Sequence, residues 1–323
     1  MKVGFIGLGT MGAYMAANLS RYLESSNHGL VVHDIRRESA EPFLAKGAAW
    51  ADSPRQLAEA CDVVFLSLPG PKDVEAVATA ADNGLLAGLK KGAAVFDLST
   101  NAPSMVRKLA AQFTERGCHF LDAPVSGGPT GARSGRLAIW VGGEKAAFDE
   151  HKVLLDGFAD QARYVGAIGA GSVAKLVHNC AGYAIQTALA EVFTMGVKGG
   201  VEPLALWEAV RTGASGRSRT FDRLVDQFLQ NKYEPPSFAL KLAFKDMTLA
   251  TDLGRELGVP MRLANLAFAE MSEAMARGWE QQDSRASMKL QIERAGVEIA
   301  VDPKRIEEAL KRDPAAAGDP KRS

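Results

Sequence analysis

Lys2-Val3-Gly4-Phe5-Ile6-Gly7-Leu8-Gly9-Thr10-Met11-Gly12 follows the first methionine, and its reading decides the fold. The apolar run to Ile6 predicts a short buried strand, and Met11, Met15 and Leu19 carry a helical pattern just beyond the glycines. A strand that passes through Gly-x-Gly-x-x-Gly into a helix is the order a dinucleotide fingerprint requires. Gly7 permits the tight turn, Gly9 lets a pyrophosphate approach the backbone, and Gly12 lets the helix pack close to the strand. The helix N-terminus then offers N–H groups to the phosphates, so Gly7, Leu8, Gly9, Thr10, Met11 and Gly12 are expected to line a cofactor site.

A second strand, Leu30 to His33, ends at Asp34, about 20 residues beyond the glycines, where a carboxylate accepts hydrogen bonds from the adenosine ribose. This favours NAD. Arg36 and Arg37 follow at once and would instead neutralise a 2'-phosphate, so NADP stays open.

The alternation continues outward with a helix over Arg37 to Lys46, a strand at Ala48 to Trp50, a helix over Pro54 to Ala60 and a strand over Asp62 to Leu68. Val95 to Leu98 predicts a fifth strand, Pro103 to Arg116 a helix, and His119 to Leu121 a sixth strand. Leu137 to Val141, a helix over Glu144 to Leu155, and Ala162 to Val165 complete this half. Strands alternating with helices imply a parallel sheet covered on both faces. Leu68-Pro69 and Ser99-Thr100 lie at strand ends on the carboxyl edge, where open α/β sheets bind ligands, although turn formation and helix capping would equally employ Pro69 and Thr100.

Asp122-Ala-Pro-Val-Ser126-Gly127-Gly128 follows the sixth strand. A serine and two glycines present a hydroxyl and backbone N–H groups with little steric cover, which suits a carboxylate; a plain tight loop is the other reading.

Composition narrows the class of protein. Among 323 residues, 38 Lys and Arg balance 38 Asp and Glu, which gives no basic excess for nucleic acid or an anionic membrane. Hydrophobic residues at 47% supply an ample core, and the length points to two domains. Cys61, Cys118 and Cys180 have no metal-type spacing, so free thiols in a reducing, cytoplasmic setting are expected and no metal is. Val3 to Ser20 lacks charge after Lys2 as a secretion signal would, but glycines at 4, 7, 9 and 12 interrupt it, and it reads as folded chain. Leu176 to Ala190 is too short and too polar to span a bilayer.

After Gly166 the strand-like runs stop. A domain boundary is placed there, with residues 1–166 forming the dinucleotide-binding domain, 167–301 an all-helical domain and 302–323 a tail. Ser172 to Lys198 contains no proline and predicts one long helix of some 40 Å joining the domains. Further helices are expected over Pro203 to Thr212, Thr220 to Gln230, Ser237 to Leu257, Arg262 to Arg277 and Lys289 to Arg294. The stretch Gly213 to Arg219 is expected to be a loop.

On the long helix, Gly171, Lys175, Asn179 and Gly182 recur at steps of four, four and three and share one face. Val173, Ala174, Leu176, Val177, Cys180 and Ala181 flank it, an apolar setting in which desolvation lowers an ammonium pKa. Lys175 then reads either as a proton carrier or as a core-edge lysine extending to solvent.

Taken together, four elements resemble the β-hydroxyacid dehydrogenases, the 3-hydroxyisobutyrate dehydrogenase group, over residues 1 to 300. They are Gly7 to Gly12, Asp122 to Gly128, Gly171-Ser-Val-Ala-Lys175 with Asn179, and Phe238 followed by Lys245-Asp246. The resemblance implies an α/β fold, with a Rossmann-type domain joined by a long interdomain helix to an all-α domain, assembled as a homodimer or homotetramer. It implies that Lys175 is catalytic, that Asn179 positions substrate and lysine, and that Ser126, Gly127 and Gly128 hold the substrate carboxylate. By the same matching Leu68, Pro69 and Thr100 line the cofactor site, Lys245 reaches the cofactor, and Phe238 and Asp246 border the active cleft.

The implied reaction is reversible hydride transfer between NAD(P) and a small 3-hydroxy acid, such as a 3-hydroxyisobutyrate-like substrate, or a tartronate or succinic semialdehyde-like one. The rivals are imine or phosphorylated sugar acid reduction on the same scaffold, and a dinucleotide sensor without chemistry. Three positions depart from the family pattern: Asp73 where relatives often carry asparagine, Arg136 where they continue with threonine, and His178, which looks more like the decarboxylating 6-phosphogluconate dehydrogenases. A packed or exposed helix histidine is the other account of His178.

Overall fold

The computed structural model describes the chain apart from residues 26–27, 202–205, 207–208, 211–212, 218–223, 225–226, 238, 242, 245–246, 249–250, 252–254, 256–257, 297–298 and 312–323. It divides into two compact units, Met1–Ala181 and Gly182–Ser323.

The first unit is built on β1 (Lys2–Ile6), β2 (Gly29–His33), β3 (Ala49–Trp50), β4 (Val63–Leu66), β5 (Ala94–Asp97), β6 (His119–Asp122), β7 (Val125–Ser126), β8 (Ala138–Gly142) and β9 (Gln161–Gly166). Their order is β3-β2-β1-β4-β5-β6-β8-β7, with β9 on β8. Pairing is parallel from β3 through β6, and β8 runs antiparallel to both β6 and β7. This is the Rossmann order, which reverses between β1 and β4 and opens a crevice at their carboxyl ends.

Residue alternation explains the two covered faces. Val3 and Phe5, Val63 and Phe65, and Ala94 and Phe96 enter one core cluster, while Ile6, Val64 with Leu66, and Val95 enter the other. Successive side chains of a strand point to opposite faces, so strands buried on both sides read as unbroken apolar runs. Phe65 joins its cluster to neighbouring strand and helix, with ring centroids 5.5 Å from Phe96 and 5.5 Å from Phe158.

The connecting helices are α1 (Gly12–Ser25), α2 (Glu41–Leu44), α3 (Pro54–Ala60), α4 (Pro71–Thr79), α5 (Leu85–Gly88), α6 (Pro103–Glu115), α7 (Gly128–Ser134) and α8 (Lys145–Asp156). The helix expected over Arg37 to Lys46 is a 3-10 turn, Arg37–Ala40, followed by the single turn α2, because Pro42 lacks an N–H and starts its own helix. Neither α4 nor α5 was expected. Only Val74 and Ala78 of α4 are buried, a stripe too thin to stand out as a period.

Helix α7 was not expected either, since its Gly-Pro-Thr-Gly-Ala-Arg-Ser composition is poor for helix. Docking on α1 overrides that propensity: Asn18 Nδ2 donates to Ala132 O at 2.7 Å, and Arg133 stacks on the Tyr14 ring at 4.8 Å.

Helix α9 (Ala170–Lys198) has 29 residues and runs from the first unit into the second. The second unit contains described helices at Ala214–Arg217, Arg262–Ala276, Lys289–Ala295 and Pro303–Lys311. Leu240, Ala274 and Leu290 form a small core there, with Met271, Met275 and Trp279 packed against it. The buried Asp283 carboxylate accepts from Ser237 N at 3.0 Å, Ser237 Oγ at 2.9 Å and Arg285 Nη1 at 2.8 Å. Ala214–Arg217 puts a helical turn inside the expected loop, and the helices expected over Pro203 to Thr212, Thr220 to Gln230 and Ser237 to Leu257 include many residues outside the described set. Among the described residues no helix is long and apolar enough to cross a membrane.

Candidate active site

A cleft of about 860 Å³ lies at the carboxyl edge of the sheet. Gly7, Gly9, Thr10, Met11, Gly12, Asp34, Leu68, Pro69 and Thr100 line it together with Ser126, Gly127, Gly128, Lys175 and Asn179. Residues from five separate loops and one helix thus meet on a single cavity. Phe238, Lys245 and Asp246 lie outside the described residues.

Each glycine of the first loop has its own steric cause. A Cβ at Gly7, whose φ is +95°, would lie 2.2 Å from Ser67 O, and one at Gly12 would lie 1.9 Å from Gly7 O. Both are needed by the fold itself. A Cβ at Gly9 would meet nothing within 4 Å, so the space it leaves free belongs to the cleft. The first turn of α1 carries no acidic side chain to offset the positive end of the helix dipole. Bare backbone, open space and a helix N-terminus fit the pyrophosphate of a dinucleotide.

Leu8 is placed differently from its neighbours. Its side chain is 4% exposed within the core, and its N–H donates to Asp34 Oδ2 at 2.7 Å, so it holds the carboxylate and does not line the cleft. Asp34 Oδ1 accepts from Arg36 N at 2.8 Å. Of the two arginines beyond it, Arg36 lines the cleft, whereas Arg37 lies over the Trp50 ring at 5.2 Å with Asp52 3.5 Å away. Ile35, 95% exposed, also lines the cleft and offers an apolar surface next to Asp34.

The loops after β4 and β5 are tied together by a fully buried carboxylate. Asp97 accepts from Ser99 N at 3.0 Å and from Asn101 Nδ2 at 3.1 Å, and Ser99 Oγ accepts from Leu68 N at 2.9 Å. Burial, with a smaller contribution from Asp122, its register partner on β6, pushes the Asp97 pKa up from 3.8 to about 6. The native state therefore binds this proton more tightly than the unfolded chain does. The associated stability is fully present below the unfolded value and is lost as pH rises through the native one, by roughly 3 kcal/mol at 1.36 kcal/mol per unit. Asp97→Asn keeps an acceptor without ionising and is expected to flatten the fall in urea-unfolding stability between about pH 4 and 6.5. Parallel curves for variant and wild type would count against this assignment.

Asp122 fixes the helix that carries the lysine. Its Oδ1 accepts from Gly169 N at 2.8 Å and its Oδ2 from Ser172 N at 2.6 Å, at the start of α9. A Cβ at Gly171 would lie 2.2 Å from Trp140 O, and one at Gly142 would lie 2.5 Å from Asp122 Oδ1. The helix end is therefore seated directly on the backbones of β6 and β8.

One turn along α9, Lys175 Nζ donates to Val125 O at 2.7 Å. The side chain is half-buried, and desolvation alone lowers its pKa from the ordinary lysine value. Val173, Leu176 and Val177, expected to crowd the lysine, are each more than a third exposed, because residues one or two positions away lie off its face. Asn179 shares that face and the cleft.

Two family models match the chain, one described as the NAD binding domain of 6-phosphogluconate dehydrogenase over residues 2–169 and one as NAD-binding of NADP-dependent 3-hydroxyisobutyrate dehydrogenase over residues 169–291. A 2-(hydroxymethyl)glutarate dehydrogenase of Eubacterium barkeri is 33% identical over 302 residues, 93% of this chain and 98% of that protein. The solved structure of Mycobacterium tuberculosis 3-hydroxyisobutyrate dehydrogenase with L-serine is 28% identical, with TM-score 0.61, and the match covers 90% of this chain and 98% of that one. An imine reductase from Pseudomonas sp., at 16% identity and TM-score 0.72 over 89% of this chain and 98% of its own, shares the fold.

Fold, glycine loop and cleft define an NAD(P)-dependent oxidoreductase. The chain belongs to the β-hydroxyacid dehydrogenase family, the group of 3-hydroxyisobutyrate dehydrogenase.

Proposed function

We propose that the protein interconverts a small 3-hydroxy acid and its semialdehyde, with Lys175 as general acid and base. One observation carries this reading: a half-buried, desolvated amine lines the same cleft as both the dinucleotide loop and the Ser126–Gly128 loop. The dinucleotide, when bound, supplies the hydride acceptor or donor. Lys175 as the neutral amine takes the hydroxyl proton during oxidation, and its ammonium returns that proton to the carbonyl oxygen in reduction.

Gly127 at φ +135° and Gly128 at φ +60° turn the chain so that backbone N–H groups beside the Ser126 hydroxyl serve a carboxylate. Holding that end fixes the reacting carbon and supplies the orientation part of catalysis. Asn179, one turn beyond Lys175, orients amine and substrate. Phe238, Lys245 and Asp246 join the site on family resemblance.

The names of the relatives support the substrate class: 2-(hydroxymethyl)glutarate and L-serine both carry a hydroxyl on the carbon β to a carboxylate. Asp34, with Arg37 turned onto Trp50 and Asp52, favours NAD over NADP. A panel of 3-hydroxy acids and semialdehydes, each offered with NAD(H) and NADP(H), is expected to give a change in nicotinamide absorbance with at least one acid and faster turnover with NAD. No change with any member would sink the reading.

A further inference from the structure

His178 takes no part in the chemistry above, yet it lines the same cleft, and its neighbours restrict what the ring can do. Nδ1 lies 3.1 Å from Asn179 Oδ1, Nε2 lies 3.4 Å from Ser126 Oγ, and the ring packs on Trp140 with centroids 5.2 Å apart. An amide oxygen only accepts, so Nδ1 carries the hydrogen of that contact. In the neutral ring Nε2 is then an acceptor, and the Ser126 hydroxyl directs its single hydrogen at the imidazole. Its lone pairs are left facing the cleft, where they repel a carboxylate.

Protonation reverses this polarity. With both ring nitrogens as donors, Nε2 donates to Ser126 Oγ and the serine hydrogen is free to turn toward an anion. The new positive charge lies next to the place where that anion binds. Ser126 from β7 and Trp140 from β8 bring no group that titrates in the imidazole range. Among the described residues, the charged side chains lining the cleft are Lys175 one turn earlier, Asp34 and Arg36 after β2, and Asp73 in the first turn of α4, and the His33 imidazole at the end of β2 lines it as well. A carboxylate bound beside the ring favours its protonated form.

We propose that His178 is a positioning residue that acts through Ser126, and that the enzyme takes up one proton from solvent at this ring when it binds the substrate carboxylate. This rests on the placement of that carboxylate at Ser126 to Gly128.

The test is calorimetric titration of the NADH-loaded full chain with L-serine, 3-hydroxypropionate, 3-hydroxyisobutyrate and glycerate, at about pH 8 in buffers of different ionisation enthalpy. Proton uptake is expected to approach one per acid bound, with affinity falling about tenfold per pH unit at the alkaline end. His178→Gln offers Ser126 an amide hydrogen that does not titrate. Its uptake is expected to fall near zero and its affinity to become flat with pH.

No uptake in the wild type, or the same uptake in H178Q, would overturn the proposal. Ser126→Ala separates it from the reading beneath it. Unchanged acid affinity in S126A removes the carboxylate placement and with it this inference, whereas weakened affinity without wild-type uptake removes this inference alone. Failure of all four acids to bind overturns both.

Discussion

Lys175→Ala is expected to lower turnover by roughly 10²–10⁴-fold, the range assigned to a positioned general acid or base, while NADH binding stays near wild type. The amine donates to Val125 O, whereas Asp34 is held by the Leu8 N–H of the glycine loop. Truncation leaves that carbonyl facing the cleft, where water can reach it, so fold stability should change little. Because burial lowers the lysine pKa, the wild-type oxidation rate should rise with pH along an ionisation that the variant lacks. The checks are steady-state kinetics across pH and NADH fluorescence titration. Unchanged turnover in the variant would show that the amine only packs.

Gly9→Ala and Gly12→Ala should part company in a way that separates cofactor binding from folding. At position 12 the new methyl meets Gly7 O at 1.9 Å, and because that atom is backbone the loop or α1 must move. Overpacking of this kind typically costs about 1–3 kcal/mol, and the displaced loop should also lose its cofactor. At position 9 the methyl meets nothing, so the melting temperature should hold. It would nonetheless stand where the pyrophosphate approaches, and an affinity loss of about a hundredfold, or 2.8 kcal/mol, is expected. Melting curves and NADH titrations on the two variants decide the matter. Equal loss of stability in both, or normal cofactor affinity in G9A, would contradict the division of roles.

These glycines were legible in the sequence because their purpose is local: a strand, a turn and a helix within eleven residues. The parallel strands were legible for the same reason, as unbroken apolar runs such as Val63–Leu66. Lys175 and Asn179 were readable from helical spacing, but what surrounds the amine was not, since Val125 is fifty positions away. Asp97 and Asp122 were missed as parts of the site altogether. Each sits at the end of an apolar strand, and that clue names a buried carboxylate without naming its partners. Leu8, expected at the cleft by its place between glycines, has its side chain in the core instead, which its position in the loop does not reveal.

The contacts of Asp122 bear on the tolerance of the machinery. This residue pins the N-terminal turn of α9 through Gly169 and Ser172, and three residues after it Val125 receives the lysine amine. The Ser126–Gly128 loop begins at the next position. The proton-carrying group and the carboxylate loop are therefore both measured from one short segment of backbone, which serves as a common datum. When the end of β6 shifts, both move with it, so positional error is shared instead of accumulating across the gap that the substrate must span.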